Sequence, residues 1–174
     1  MTFQTSIRTD QASGFVGDLA VDFPPVAQPG ALNSGDAANN VVGRVFTHTG
    51  TEGVFAAGGA GAFAGILANR AEYASYGTTA GGPLAPSTTL PNGAIGDFLL
   101  QHPGVFVELS TAFAPGYYVT YATATGALGA VATGVDVPAG SVILPGAFVV
   151  RYSGAAGLAV ISLGTNPTAH VGGS

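Results

Sequence analysis

The sequence contains no cysteine and no tryptophan, and its four cationic side chains are all arginine. Without cysteine there is no disulfide, no thiolate nucleophile and no cysteine-ligated zinc. Without lysine there is no P-loop cation and no polybasic segment. Four dispersed Arg in a chain of net charge −5 do not make the clustered positive surface that nucleic acid requires, and an anionic membrane is disfavoured for the same reason. Charge of either sign is sparse, at 7% of residues against about 25% in an ordinary soluble domain, so the surface is poorly defended against association. Long stretches free of helix breakers are also missing. Gly (28) and Pro (11) interrupt 174 residues so often that only 1–13 and 66–76 approach the roughly 12 residues a stable helix wants. A helical bundle is excluded.

What is present is enough large apolar side chain for one core: 45 Ile, Leu, Val and Phe. They gather in runs with the period of two that marks half-buried strands. Phe15, Leu19, Val21 and Phe23 alternate with Asp18 and Asp22 until Pro24 and Pro25 end the run. Val105, Val107 and Leu109 alternate with Glu108 and Ser110, and Tyr117, Val119 and Tyr121 with Tyr118 and Thr120. Further strands are expected at 41–47, 63–68, 94–100, 141–144, 148–152 and 158–163, the last apolar on both faces and so central in its sheet. Asn92-Gly93 is a turn dipeptide. Two stretches, 24–40 and 77–92, read as irregular loops. The expected core draws on Phe15, Leu19, Val21, Val105, Val107, Leu109, Val119, Tyr121, Val160 and Ile161. These signals predict an all-β fold: a single antiparallel β-sandwich, jelly-roll-like, with long loops and at most one short helix. An extended N-terminal arm over residues 1–14 precedes a sandwich domain over 15–174.

Catalytic and ligand-binding patterns are not found. Gly59-Ala60-Gly61-Ala62-Phe63-Ala64 has the loosest form of a dinucleotide fingerprint, without a strand-helix-strand unit around it or an acidic residue about 20 positions on. His48, His102 and His170 are isolated and read as ordinary loop or surface histidines. The run from Asn33 to Asn40 lacks the spacing of an EF-hand loop and reads as a solvated turn. No G-x-S-x-G elbow occurs, and nothing pairs the carboxylates Glu52, Glu72, Glu108, Asp97 and Asp136 for glycoside chemistry. The uncharged stretch Leu109 to Val135, cut by Pro115 and four Gly, is no transmembrane helix. No cofactor and no metal are expected, and the start of the chain lacks the apolar segment of a signal peptide.

Order along the chain carries more than any single motif. Met1-Thr2-Phe3-Gln4, Gln11-Ala12 and Gly17-Asp18-Leu19-Ala20 are followed by Phe63 to Tyr73, by Tyr76-Gly77-Thr78-Thr79, and by Thr89 to Gly93. Gly126-Ala127-Leu128, Leu144-Pro145-Gly146-Ala147 and Gly157 to Ile161 come last. In this order the segments resemble the structural cement, or head-decoration, proteins of tailed bacteriophages. The resemblance implies a non-enzymatic virion protein on the outer face of the capsid, made in the host cytoplasm, that stabilises contacts between capsomers of the major capsid protein. It implies no catalytic residues. The alternative reading is a secreted or surface β-sandwich binding module.

Under the cement reading, the partners are the major capsid protein and further copies of the chain, as a homodimer or, second, a trimer; nucleic acid and membrane are not partners. The expected contact residues are Phe3, Gln4, Ile7 and Arg8 in the arm, and Tyr73, Tyr76, Leu84 and Leu90 in and around the loop 73–92. Phe3 and Ile7 give the arm an apolar stripe suited to strand addition, and tyrosine buries area while freezing only two torsions.

Overall fold

The computed structural model describes residues 14–70 and 88–164. Nine strands form among them: β1 (Val26–Leu32), β2 (Val45–His48), β3 (Val54–Ala57), β4 (Phe63–Leu67), β5 (Ile95–Leu109), β6 (Tyr118–Ala122), β7 (Leu128–Val131), β8 (Ser141–Arg151) and β9 (Gly157–Leu163). Among the described residues the helical content is one 3₁₀ turn, Ala37–Asn39, capped by Asp36, whose carboxylate accepts from the Ala38 amide at 2.9 Å. The fold is all-β and sandwich-like, as expected. Its pairings are antiparallel except β1–β3 and β5–β7.

The topology is organised by β5. Its first part pairs antiparallel with β1, from Gln101 to Ile95, and with β4 through Leu99 and Phe98. Its second part pairs antiparallel with β9, from His102 to Leu109, and touches β7 at Leu109. The strand order β1-β3-β2-β4-β5 therefore closes back on β1, and β5-β7-β6-β8-β9 closes back on β5. Two five-stranded rings share one long strand, closed by short pairings at β1–β3 and β5–β7.

Each ring has its own filling. In the first, Phe46 and Phe98 stand edge to face at 5.1 Å and Phe55 and Phe98 at 4.8 Å, joined by Leu32, Leu67 and Leu90. The second buries Val105, Val107, Leu109, Val119, Val149 and Ile161, and takes in Val45, Ile66 and Leu99 from the first ring's strands. Because side chains alternate across a strand, Phe46 and Phe98 fill one ring while their neighbours Val45 and Leu99 pack against the other. The two rings thus share a continuous apolar contact.

The expected core holds at Val105, Val107, Leu109, Val119, Tyr121, Val160 and Ile161, all buried. It fails at Phe15 and Leu19, which are exposed, and at Val21, which is half-buried. The segment 15–23 is not a strand. A turn closes from the Asp18 amide to the Phe15 carbonyl at 3.0 Å, Gly17 sits at φ 85, and the segment meets β5 only as a strap, with Leu19 bridging Val105.

Conversely, the stretch expected to be a loop contains β1. Its Pro29 is tolerated because β1 is paired on its second side only at Ala31 and Leu32, so the missing N–H costs no ladder bond there. Pro103 and Pro145 likewise fall at register irregularities, which lets the paired candidates 94–100 with 105–109, and 141–144 with 148–152, each run on as a single strand. β9 is central, between β8 and β5.

Candidate functional site

Of the expected contact residues, Phe3, Gln4, Ile7, Arg8, Tyr73, Tyr76 and Leu84 lie outside the described residues. Leu90 is placed, and is 1% exposed. It fills the first ring's core because the Asn40 carbonyl takes its amide at 2.8 Å and turns the side chain inward, so it offers no surface contact.

The chemistry-bearing residues that are described do not converge. Among the described residues no three His, Asp or Glu are grouped as for a metal, and no helix is long and apolar enough to cross a membrane. The glycine-rich run after β3 is the connection to β4, the two strands lying on opposite sides of β2: the Gly59 amide donates to the Thr123 carbonyl at 2.6 Å and the His48 amide to the Ala62 carbonyl at 2.9 Å. Asp97 is ion-paired with Arg70, and Glu52, Glu108 and Asp136 are exposed on separate elements. His170 lies outside the described residues, His48 is exposed with its ring edge-on to Phe55 at 4.8 Å, and His102 corrects the expectation of a surface residue, being fully buried. Its Nε2 faces the Phe23 carbonyl at 3.0 Å, and its Nδ1 lies 3.1 Å from the Gly104 amide and 2.8 Å from the Gly104 carbonyl. This histidine fastens the strap to β5.

The run from Asn33 to Asn40 is likewise only partly solvated. Ser34 and Asn40 are buried; the Ser34 hydroxyl donates to Asn40 Oδ1 at 2.5 Å, and Asn40 Nδ2 donates to Asn92 Oδ1 at 2.8 Å. Asn92 Nδ2 returns a bond to the Ser34 carbonyl at 3.0 Å. The network satisfies polar groups that burial would otherwise penalise. Tyr121 is buried too, its hydroxyl donating to the Gly59 carbonyl at 3.2 Å, and burial pushes its phenol above the ordinary value.

What the surface does offer is apolar. Phe15, Leu19, Phe23 and Val26 are exposed along the strap and the start of β1, and Tyr118, Val142, Ile143 and Phe148 on β6 and β8. Tyr118 and Phe148 are register partners. A groove of about 320 Å³ runs beside the strap, lined by Asp18, Leu19, Pro25, Asn69 and Leu99 among others. A second, of about 280 Å³, lies between Val16, Arg44 and Glu108. The sequence reading missed the exposed strap because alternation alone does not distinguish a strand from a bent segment of the same composition; Gly14 and Gly17 were the available signal.

Exposed apolar side chains of this kind suit a surface that binds protein. The comparisons agree. The family described as structural cement protein (E217 gp24/Pam3 gp6) matches residues 3–164. A chain in the solved capsid of Myoviridae phage XM1 shares the fold at TM-score 0.56 and 14% identity, over 94% of this chain and 98% of that one. No curated protein matches the sequence significantly. With the family model spanning nearly the whole chain, the protein belongs to the structural cement family of bacteriophages and is a non-enzymatic structural protein of the phage capsid.

Proposed function

We propose that the chain binds the outer surface of the capsid and stabilises contacts between capsomers of the major capsid protein. The observation that carries this reading is the family match over residues 3–164. Cementing requires only burial of surface across seams, and a standard interface of about 1,600 Å² repeated over a shell resists internal pressure collectively. A chain with few charges, closed sheets and exposed apolar side chains meets that requirement. A net charge of −5 fits the outside of a shell better than its DNA-filled interior.

The self-association we propose is a homodimer, with a trimer as the second choice, since closed oligomers match local capsid symmetry. The arm, through Phe3, Gln4, Ile7 and Arg8, and the loop residues Tyr73, Tyr76 and Leu84 supply intermolecular contacts in this scheme. Cryo-electron microscopy of native virions tests the placement: density for this chain on the outer face, spanning neighbouring capsomers, is the expected result, and its absence from the shell contradicts the reading. Deleting residues 1–13 tests the arm: folded protein that no longer decorates supports it, and decoration at full affinity rules it out.

A further inference from the structure

The strap is built as a ridge. Three backbone hydrogen bonds lay it along β5: Gly17 donates to Phe106 at 2.8 Å, Phe106 to Asp18 at 2.9 Å, and Ala20 to Gly104 at 2.8 Å. The buried His102 holds its far end at the Phe23 carbonyl. Fixing the backbone in this way removes most of the ordering cost of a contact made later. Yet the large side chains turn outward, with Phe15 75%, Phe23 55%, Val26 50% and Leu19 39% exposed. Four such residues in a row of twelve, on a rigid segment beside a groove, are an apolar surface that a solitary soluble chain has no use for.

The charges around the ridge select its occupant. Asp18 and Asp22 flank it; Asp18 is held by the Asn69 side-chain amide at 3.0 Å, while in the groove Asp97 is balanced by Arg70. Among the described residues the rim is therefore net negative. A second copy docked ridge to ridge sets these carboxylates against each other, and the chain has few cations to answer them. An apolar surface rimmed by Lys or Arg is complementary on both counts.

We propose that the ridge Phe15, Leu19, Phe23 and Val26, with the groove beside it, docks on an apolar, Lys- or Arg-rimmed segment of the shell-forming capsid protein. This rests on the cement reading above and names the surface that carries it out. The test uses the full-length chain and undecorated shells of the cognate major capsid protein, with binding followed by co-sedimentation over a range of salt concentrations.

The double variant Phe15→Ser/Phe23→Ser is expected to bind at least about tenfold more weakly, with unchanged thermal unfolding and unchanged sedimentation in solution. Asp18→Asn/Asp22→Asn is expected to weaken binding at low salt and flatten its salt dependence. Phe15→Ser alone, altering the most exposed ring, gives the same direction should the double variant fold poorly. Undiminished binding by folded variants overturns the assignment while leaving the cement reading intact. Loss of self-association in place of shell binding also overturns it, giving the ridge to a second copy. Failure of the wild-type chain to bind shells overturns both.

Discussion

Gly126 shows how much of this fold depends on single backbone positions. It has φ 71, and a Cβ there would stand 2.3 Å from the Val45 carbonyl oxygen. Its own carbonyl accepts from Val45 at 3.0 Å, and that Val45 carbonyl accepts from Gly58 at 2.9 Å, so the turn before β7 is tied to β2 and the two rings are joined through backbone atoms. Gly126→Ala is expected to destabilise the protein by about 2–4 kcal/mol, combining left-handed strain with a clash that backbone cannot relieve; thermal or urea unfolding measures it. Tyr121 gives a second prediction at this scale. Its phenol is raised by burial, so the neutral form is the one the fold favours. The associated stability is fully present below the unfolded-state value of about 10 and is lost as pH rises through the higher folded-state value. Ultraviolet titration of wild type against Tyr121→Phe should show that the phenol absent from the variant ionises above its ordinary value, and the difference in alkaline stability should carry that sign.

Among the elements, the strap and β1 exchange the roles that hydrophobic pattern assigns them. Residues 15–23 have the alternation of a strand and are a bent strap; 26–32 contain Pro29 and Gly30 and are a strand. Pattern reports which residues tolerate burial, and the strap's apolar side chains are left outward by turns that Gly14 and Gly17 permit. β1 forms because its long partner β5 supplies the ladder, and because Gly30 leaves room for the Phe55 ring, which a Cβ would meet at 2.2 Å. Such neighbours are non-local and leave no trace in a window of ten residues. Strands whose burial is set by their own local pattern, alternating in 105–109 and apolar on both faces in 158–163, were legible for the opposite reason. Short β3 and β7, rich in Ala and Gly, were not. Of the candidate site, the absence of a catalytic pattern was legible, whereas Leu90 was misplaced because its inward turn is imposed by Asn40, fifty residues away. His102 makes the strap's attachment testable: His102→Ala removes buried hydrogen bonds and leaves a cavity, at an expected cost of about 2–4 kcal/mol. Hydrogen exchange should show protection lost first at Gly17, Ala20 and Gly104; uniform loss across β5 would contradict the role of a local fastening.

At the scale of the whole molecule, two rings of paired strands share β5 and enclose two apolar cores. What remains for other molecules is side-chain surface, with few charges to oppose contact. That is the physical content of a cement: it adds interface without chemistry, and its effect appears only when many copies act on one shell. The central claim is therefore tested by heating particles. Shells lacking this chain, with and without purified protein added back, are warmed while genome release and shell disruption are followed by dye fluorescence and electron microscopy. Restored decoration is predicted to raise the disruption temperature, saturating when the sites on the shell are filled. Particles that bind the chain at full occupancy and break at the same temperature as bare shells would contradict the account.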